Sequence, residues 1–125
     1  MKKKVLIIEN DLEIKQLVSY ILELEGYEVT KASHEPISEL PTEVADLILL
    51  DEWLNKREGH MLCKEIKTVE SLKYIPVIIF STAPDIADIA KNCNADGFVH
   101  KPFELDTLIN EVKRLLPLKA SSTVT

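Results

Sequence analysis

A parallel α/β sheet with helices on both faces is the fold class this chain predicts, and three observations predict it. Continuous aliphatic runs (KVLII, LILL and VIIF) recur along the chain, each too short for a helix and bounded by polar residues. That is the pattern of strands buried on both faces. Segments with apolar residues at helical spacing separate these runs. Strand–helix alternation then implies right-handed crossovers and a doubly wound sheet, here of five strands and five helices.

Each element follows from its residues. Lys4 to Ile8 is the first strand, ending in the polar triplet Glu9-Asn10-Asp11. Ile14, Leu17, Val18, Ile21 and Leu22 form one stripe of a helix that Asn10 or Asp11 can cap and Gly26 can end. Tyr27 to Lys31 reads as the second strand, and Pro36 to Pro41 brackets a short helix carrying Ile37 and Leu40. The third strand, Leu47 to Leu50, stops on Asp51, and Asn55 to Gly59 reads as a polar turn. A helix through Met61, Leu62, Cys63, Ile66 and Val69 precedes the fourth strand, Val77 to Phe80, which ends in Ser81-Thr82. Pro84 and Asp85 start a short helix through Ile86 and Ala90, and Gly97 to His100 is the fifth strand, closed by Lys101-Pro102. Leu105, Leu108, Ile109, Val112, Leu115 and Leu116 mark the last helix. Residues 1–118 form one domain, and 119–125 read as a disordered polar tail.

Composition narrows the function classes. The length suits a single core. No segment approaches the roughly 20 apolar residues of a membrane span. The basic Met1 to Lys4 start is followed by too short an apolar run for a signal peptide, so the setting is expected to be cytoplasmic, with no membrane partner. Cys63 and Cys93 lack CxxC spacing and read as reduced thiols. A net charge of −6 argues against direct nucleic-acid binding. With three glycines in the chain, a Gly-rich phosphate loop is excluded. A phosphatase of the haloacid-dehalogenase type needs a second Asp two residues after Asp51, and Trp53 stands there. His60 and Cys63, with Cys93, make a weak zinc set.

The candidate site lies at the carboxyl ends of the strands, where such sheets place their ligands. Glu9, Asn10, Asp51, Ser81 and Lys101 all end or follow strands and so converge on one edge. Close carboxylates repel unless a cation sits between them, and hard oxygen ligands suit Mg²⁺.

At these residues the chain resembles the receiver domain of two-component response regulators, over residues 4 to about 117. The motifs are the acidic end of strand one, LILLD with Gly59 eight residues after Asp51, IPVIIFS, and Lys101-Pro102-Phe103. The resemblance implies a flavodoxin-like strand order, 2-1-3-4-5, and a cis Lys101-Pro102 bond. It further implies that Asp51 accepts a phosphoryl group from a sensor histidine kinase or a histidine phosphotransfer protein. Mg²⁺ is then held by Asp51, by Glu9 or Asn10, and by the main-chain carbonyl of Trp53. Lys101 pairs with the phosphoryl oxygens, Ser81 is the switch hydroxyl, and Phe98 the aromatic that changes rotamer on activation. Such a module is a signalling phosphoprotein rather than an enzyme, acting on a downstream protein the sequence does not name.

Four residues depart from the family pattern. Asn10 stands where a second acid is usual, Trp53 where a smaller aliphatic is, and Glu52 and Asn55 also differ. The Ser81–Lys101 segment is a residue or two short, which implies a reduced fourth helix. The alternative reading is a degenerate pseudo-receiver, a protein-interaction module that works without phosphorylation. A relay shuttle would use the same residues.

Overall fold

The computed structural model describes residues 2–33, 37–42, 45–54 and 57–118, with the backbone alone at 53–54 and 57–58. In chain order it contains β1 (Lys4–Ile8), α1 (Leu12–Leu24), β2 (Glu28–Ala32), a 3₁₀ turn (Ile37–Glu39), β3 (Leu47–Asp51), β4 (Trp53–Leu54), β5 (Arg57–Glu58), α2 (Gly59–Thr68), β6 (Val77–Ser81), α3 (Ile86–Asn92), β7 (Gly97–His100) and α4 (Leu105–Leu115). The five long strands pair parallel in the order β2-β1-β3-β6-β7, which is the expected 2-1-3-4-5 arrangement of the principal strands.

Alternation along the strands divides the core into two layers. Leu6, Ile8, Ile48, Leu50 and Ile79 pack on one side against Leu62 and Ile66 of α2 and Ile86 of α3. Val5, Ile7, Leu47, Leu49 and Phe80 pack on the other against Val18 and Leu22 of α1 and Leu108 and Val112 of α4. Because both faces are covered, β1, β3 and β6 are apolar at nearly every position, the signal that made them legible.

Local chemistry sets the element ends. Asp11, not Asn10, caps α1, accepting from the Glu13 and Ile14 amides at 3.0 and 3.2 Å. Gly26 follows the helix at φ +108°, a conformation that L side chains rarely adopt. Tyr27 is buried in the α1–α4 layer instead of opening β2, and its hydroxyl donates to the Leu116 carbonyl at 2.7 Å. Beside this bond Leu118 packs against Gly26, and Lys113 pairs with Glu25 at 2.7 Å. These contacts hold the end of α4 at the amino edge of the sheet, where Lys4 also enters β1.

The described residues contain four α-helices rather than the five expected. The segment between Pro36 and Pro41 has room for one turn only, and helix nucleation is too unfavourable for a longer one to form. It closes as the 3₁₀ turn, with Ile37 and Leu40 three residues apart, both packed into the α2–α3 layer. The expected polar turn after Asp51 holds a two-stranded antiparallel ribbon, β4 paired with β5, before Gly59 opens α2. Asn55, the residues 119–125 and His34 lie outside the described residues. The Lys101-Pro102 peptide is cis, and α3 is seven residues long.

Candidate functional site

Parallel register brings the sequence-predicted groups to one edge. Ile8 lies opposite Leu50, Asp51 opposite Phe80, and Ser81 opposite His100, so Glu9, Asp51, Ser81 and Lys101 leave neighbouring strands side by side. Together with Asn10 and Glu52 they line an open hollow of about 680 Å³. Glu9, Asp51 and Ser81 are nearly buried, with 2%, 6% and 5% of their surface exposed.

Lys101 organises the electrostatics. Its Nζ donates to Asp51 Oδ1 at 3.0 Å and to Glu9 Oε1 at 3.4 Å, and it stands 4.7 Å from the centre of the Phe80 ring. One ammonium is therefore shared by two carboxylates from different strands. Glu9 Oε2 also accepts the Asp11 amide at 3.0 Å. Burial lifts the Glu9 carboxyl above its ordinary value and repulsion from Asp51 adds to this, while the Asp11 amide and Lys101 oppose it.

The loop after β3 passes close to itself. Gly59 donates its amide to the Glu52 carbonyl, and a Cβ at Gly59 would overlap the Asp51 carbonyl. Only glycine suits this approach. The bend brings the Glu52 side chain into the site, 8% exposed, where it accepts from Ser81 Oγ at 3.3 Å through Oε1. Glu52 Oε2 lies 3.1 Å from His60 Nδ1, a distance at which the Nδ1–H tautomer donates to the carboxylate. Ser81 Oγ in turn accepts the Ala83 amide at 3.0 Å.

Glu52 and His60 are the site members that sequence reasoning did not assign. Their signal was weak, because the direction of a side chain just past a strand end depends on the loop that follows. The zinc set does not assemble: no group of three or more His, Cys, Asp or Glu among the described residues is arranged around a metal position. Cys63 and Cys93 are free buried thiols, and Cys63 donates to the Cys93 carbonyl at 3.4 Å. A hydrogen bond with Cys93 and burial push the Cys63 thiol up, away from the reactive thiolate. Phe98, on β7, is 43% exposed and lies away from this cluster, beside a hollow lined by Ala87, Lys91 and Arg114. The backbone of Trp53 pairs with Glu58 next to the pocket. No helix among the described residues is long and apolar enough to cross a membrane.

Residues 5–113 match the family model of the response regulator receiver domain. The nisin biosynthesis regulatory protein NisR of Lactococcus lactis subsp. lactis is 36% identical over 118 residues, covering 90% of this chain and 50% of that protein. The alkaline phosphatase synthesis transcriptional regulatory protein PhoP of Bacillus subtilis is 31% identical over 120 residues, covering 93% of this chain and 49% of the relative. The chain thus spans about half the length of the curated relatives it matches. Chemotaxis protein CheY4 of Vibrio cholerae has a similar structure, with a TM-score of 0.82 at 28% identity over 93% of this chain and 100% of that one. The signal receiver domain of a signal transduction histidine kinase from Syntrophus aciditrophicus gives 0.82 at 30% identity, over 98% and 97%. Strand order, the acidic pocket and these likenesses lead to one assignment: the chain belongs to the response regulator receiver domain family of two-component signalling.

Proposed function

We propose that the chain is a phosphoacceptor, taking a phosphoryl group onto Asp51 from a histidine kinase or a histidine phosphotransfer protein. The observation that carries this reading is the Lys101 ammonium held between Asp51 and Glu9 at the rim of an open pocket. Phosphoryl transfer needs an in-line oxygen and cations for the equatorial oxygens, and little else. A carboxylate oxygen of Asp51 forms the new O–P bond as the P–N bond of the donor phosphohistidine breaks. The departing imidazole then takes a proton from water. Lys101, which already orients the Asp51 carboxylate, pairs with the incoming oxygens.

The donor set fits Mg²⁺: hard oxygens, two of them the Glu9 and Asp51 carboxylates that leave neighbouring strands and line one open pocket. Glu9, Asn10, Asp51 and the main-chain carbonyl of Trp53 would hold it. When bound, the ion neutralises charge on the carboxylates and the phosphoryl group. Phosphorylation adds charge and acceptor oxygens beside Ser81, and a shift of that hydroxyl biases the Phe98 surface toward a downstream protein. Several relatives bear names of transcriptional regulators. With its net charge of −6, this stretch itself meets proteins, not nucleic acid or membrane, in a cytoplasmic setting.

Acetyl phosphate labelling in Mg²⁺, read by mass, tests the reading. The wild type gains one phosphoryl group, and Asp51→Asn gains none. Labelling of Asp51→Asn refutes the acceptor assignment. Asn10 favours a second reading, a pseudo-receiver, because it leaves the pocket one acid short of the family pattern. Under that reading the fluorescence of Trp53, the chain's one tryptophan, responds to neither Mg²⁺ nor beryllofluoride, a phosphoryl mimic.

A further inference from the structure

We propose that Glu52 is a positioning residue that restrains the switch: it competes with the phosphoryl group for the Ser81 hydroxyl. This inference rests on the phosphoacceptor reading. A buried carboxylate is unfavourable without hydrogen-bond donors. Glu52 is nearly buried, and its two oxygens meet two of them, Ser81 Oγ at 3.3 Å and His60 Nδ1 at 3.1 Å.

A serine hydroxyl has one hydrogen to give. Donated to Glu52 Oε1, it is not available to an oxygen bound to Asp51 on the adjacent strand. The Ala83 amide, which donates to the same Oγ, helps hold the hydroxyl on the Glu52 side. Two anionic acceptors then compete for one proton, and charge-assisted bonds of similar strength nearly balance. The protein consequently needs its phosphoryl group both to attract Ser81 and to displace it from Glu52. His60, in the first turn of α2, braces the carboxylate from the other side, so the restraint spans β3, α2 and β6. A neutral aliphatic side chain at position 52 would leave the switch freer and the active arrangement more populated at equal occupancy.

The test uses the full chain, four single variants, and Glu52→Gln and Glu52→Leu each combined with Ser81→Ala. Glu52→Gln keeps an acceptor oxygen and loses the charge. Glu52→Leu loses both, and Glu52→Met does the same where leucine destabilises the fold. Ser81→Ala removes the hydroxyl. Two measurements are made: the Ser81 χ1 rotamer by NMR couplings without Mg²⁺ or a phosphoryl mimic, and the beryllofluoride midpoint at fixed Mg²⁺. The wild type and Glu52→Gln are expected to hold one Ser81 rotamer, and Glu52→Leu to average between rotamers. The beryllofluoride midpoint is expected to fall about fivefold further in Glu52→Leu than in Glu52→Gln, the scale of one net hydrogen bond. In the Ser81→Ala background that gap should close. A Ser81 rotamer unchanged in Glu52→Leu and Glu52→Met overturns the proposal, as does a gap that survives Ser81→Ala, which would leave pocket charge as the cause. A wild type that binds no beryllofluoride removes the phosphoacceptor reading alone, while the Ser81 rotamers still decide the restraint.

Discussion

Replacing Lys101 with methionine keeps most of the side-chain volume and removes the cation that Asp51 and Glu9 share. At separations of 3.0 and 3.4 Å, and an effective dielectric of about 20, each attraction is about 5 kcal/mol before desolvation. Desolvation of the ammonium offsets several kcal/mol of that sum. Breaking a buried pair from one side usually costs about 3–5 kcal/mol, and the 15% exposure of the Lys101 side chain places this case near 2–3 kcal/mol. For a domain of this size that is a fall in Tm on the order of 10 °C. At the proposed metal site Mg²⁺ would offer a second cation to the same carboxylates, recover part of the loss and raise the Tm of Lys101→Met more than that of the wild type. Thermal unfolding with and without Mg²⁺ measures both quantities. Metal-free stability within 0.5 kcal/mol of the wild type, or equal Mg²⁺ gains in the two proteins, would refute the shared-cation account.

Other perturbations test neighbouring parts of the site and fold. Burial holds the Glu9 carboxyl above its ordinary value, so its stabilising contribution is present at low pH and is lost as pH rises through the folded-state value. Ionised Glu9 therefore opposes folding at pH 7. Glu9→Gln should raise metal-free stability in urea unfolding by roughly 0.5–2 kcal/mol, the scale of a single stabilising substitution. That gain should shrink toward pH of about 4, the ordinary glutamate range, and a loss of stability at pH 7 would contradict it. Asn10→Asp adds the acid that the pocket lacks and should tighten Mg²⁺ binding about tenfold by calorimetry, the scale of one charge-assisted contact. An unchanged affinity would place Asn10 away from the ion. Tyr27→Phe strips the donor from the Leu116 carbonyl and should cost about 1–3 kcal/mol in the same urea assay, with Mg²⁺ affinity unaltered.

What could be read from the letters was whatever depends on burial along one strand. KVLII, LILLD and VIIFS are apolar because both faces of the sheet are covered, and their ends therefore located Glu9, Asp51 and Ser81 before any coordinates. Gly26 was legible because a helix end needs a left-handed residue, and the need for a side-chain acceptor narrowed the cap of α1 to Asn10 or Asp11, of which the structure uses Asp11. Tyr27 was not, since its hydroxyl is matched to a carbonyl 89 residues further along the chain. The β4–β5 ribbon has two residues per strand, too few to show alternation. Glu52 escaped for a related reason. The side chain turns inward because the Gly59 amide folds back onto its carbonyl, a contact between residues that no strand or helix period links.

The Tyr27 bond to Leu116 also settles a question of access. Leu118, the last described residue, rests on Gly26 at the amino edge of the sheet, and the chain enters β1 at Lys4 on that same edge. Asp51, Ser81 and Lys101 occupy the opposite edge. A group attached directly beside Lys4 or Leu118 would therefore sit a full strand length away from the pocket. Attachment at those two points leaves the mouth of the pocket uncovered.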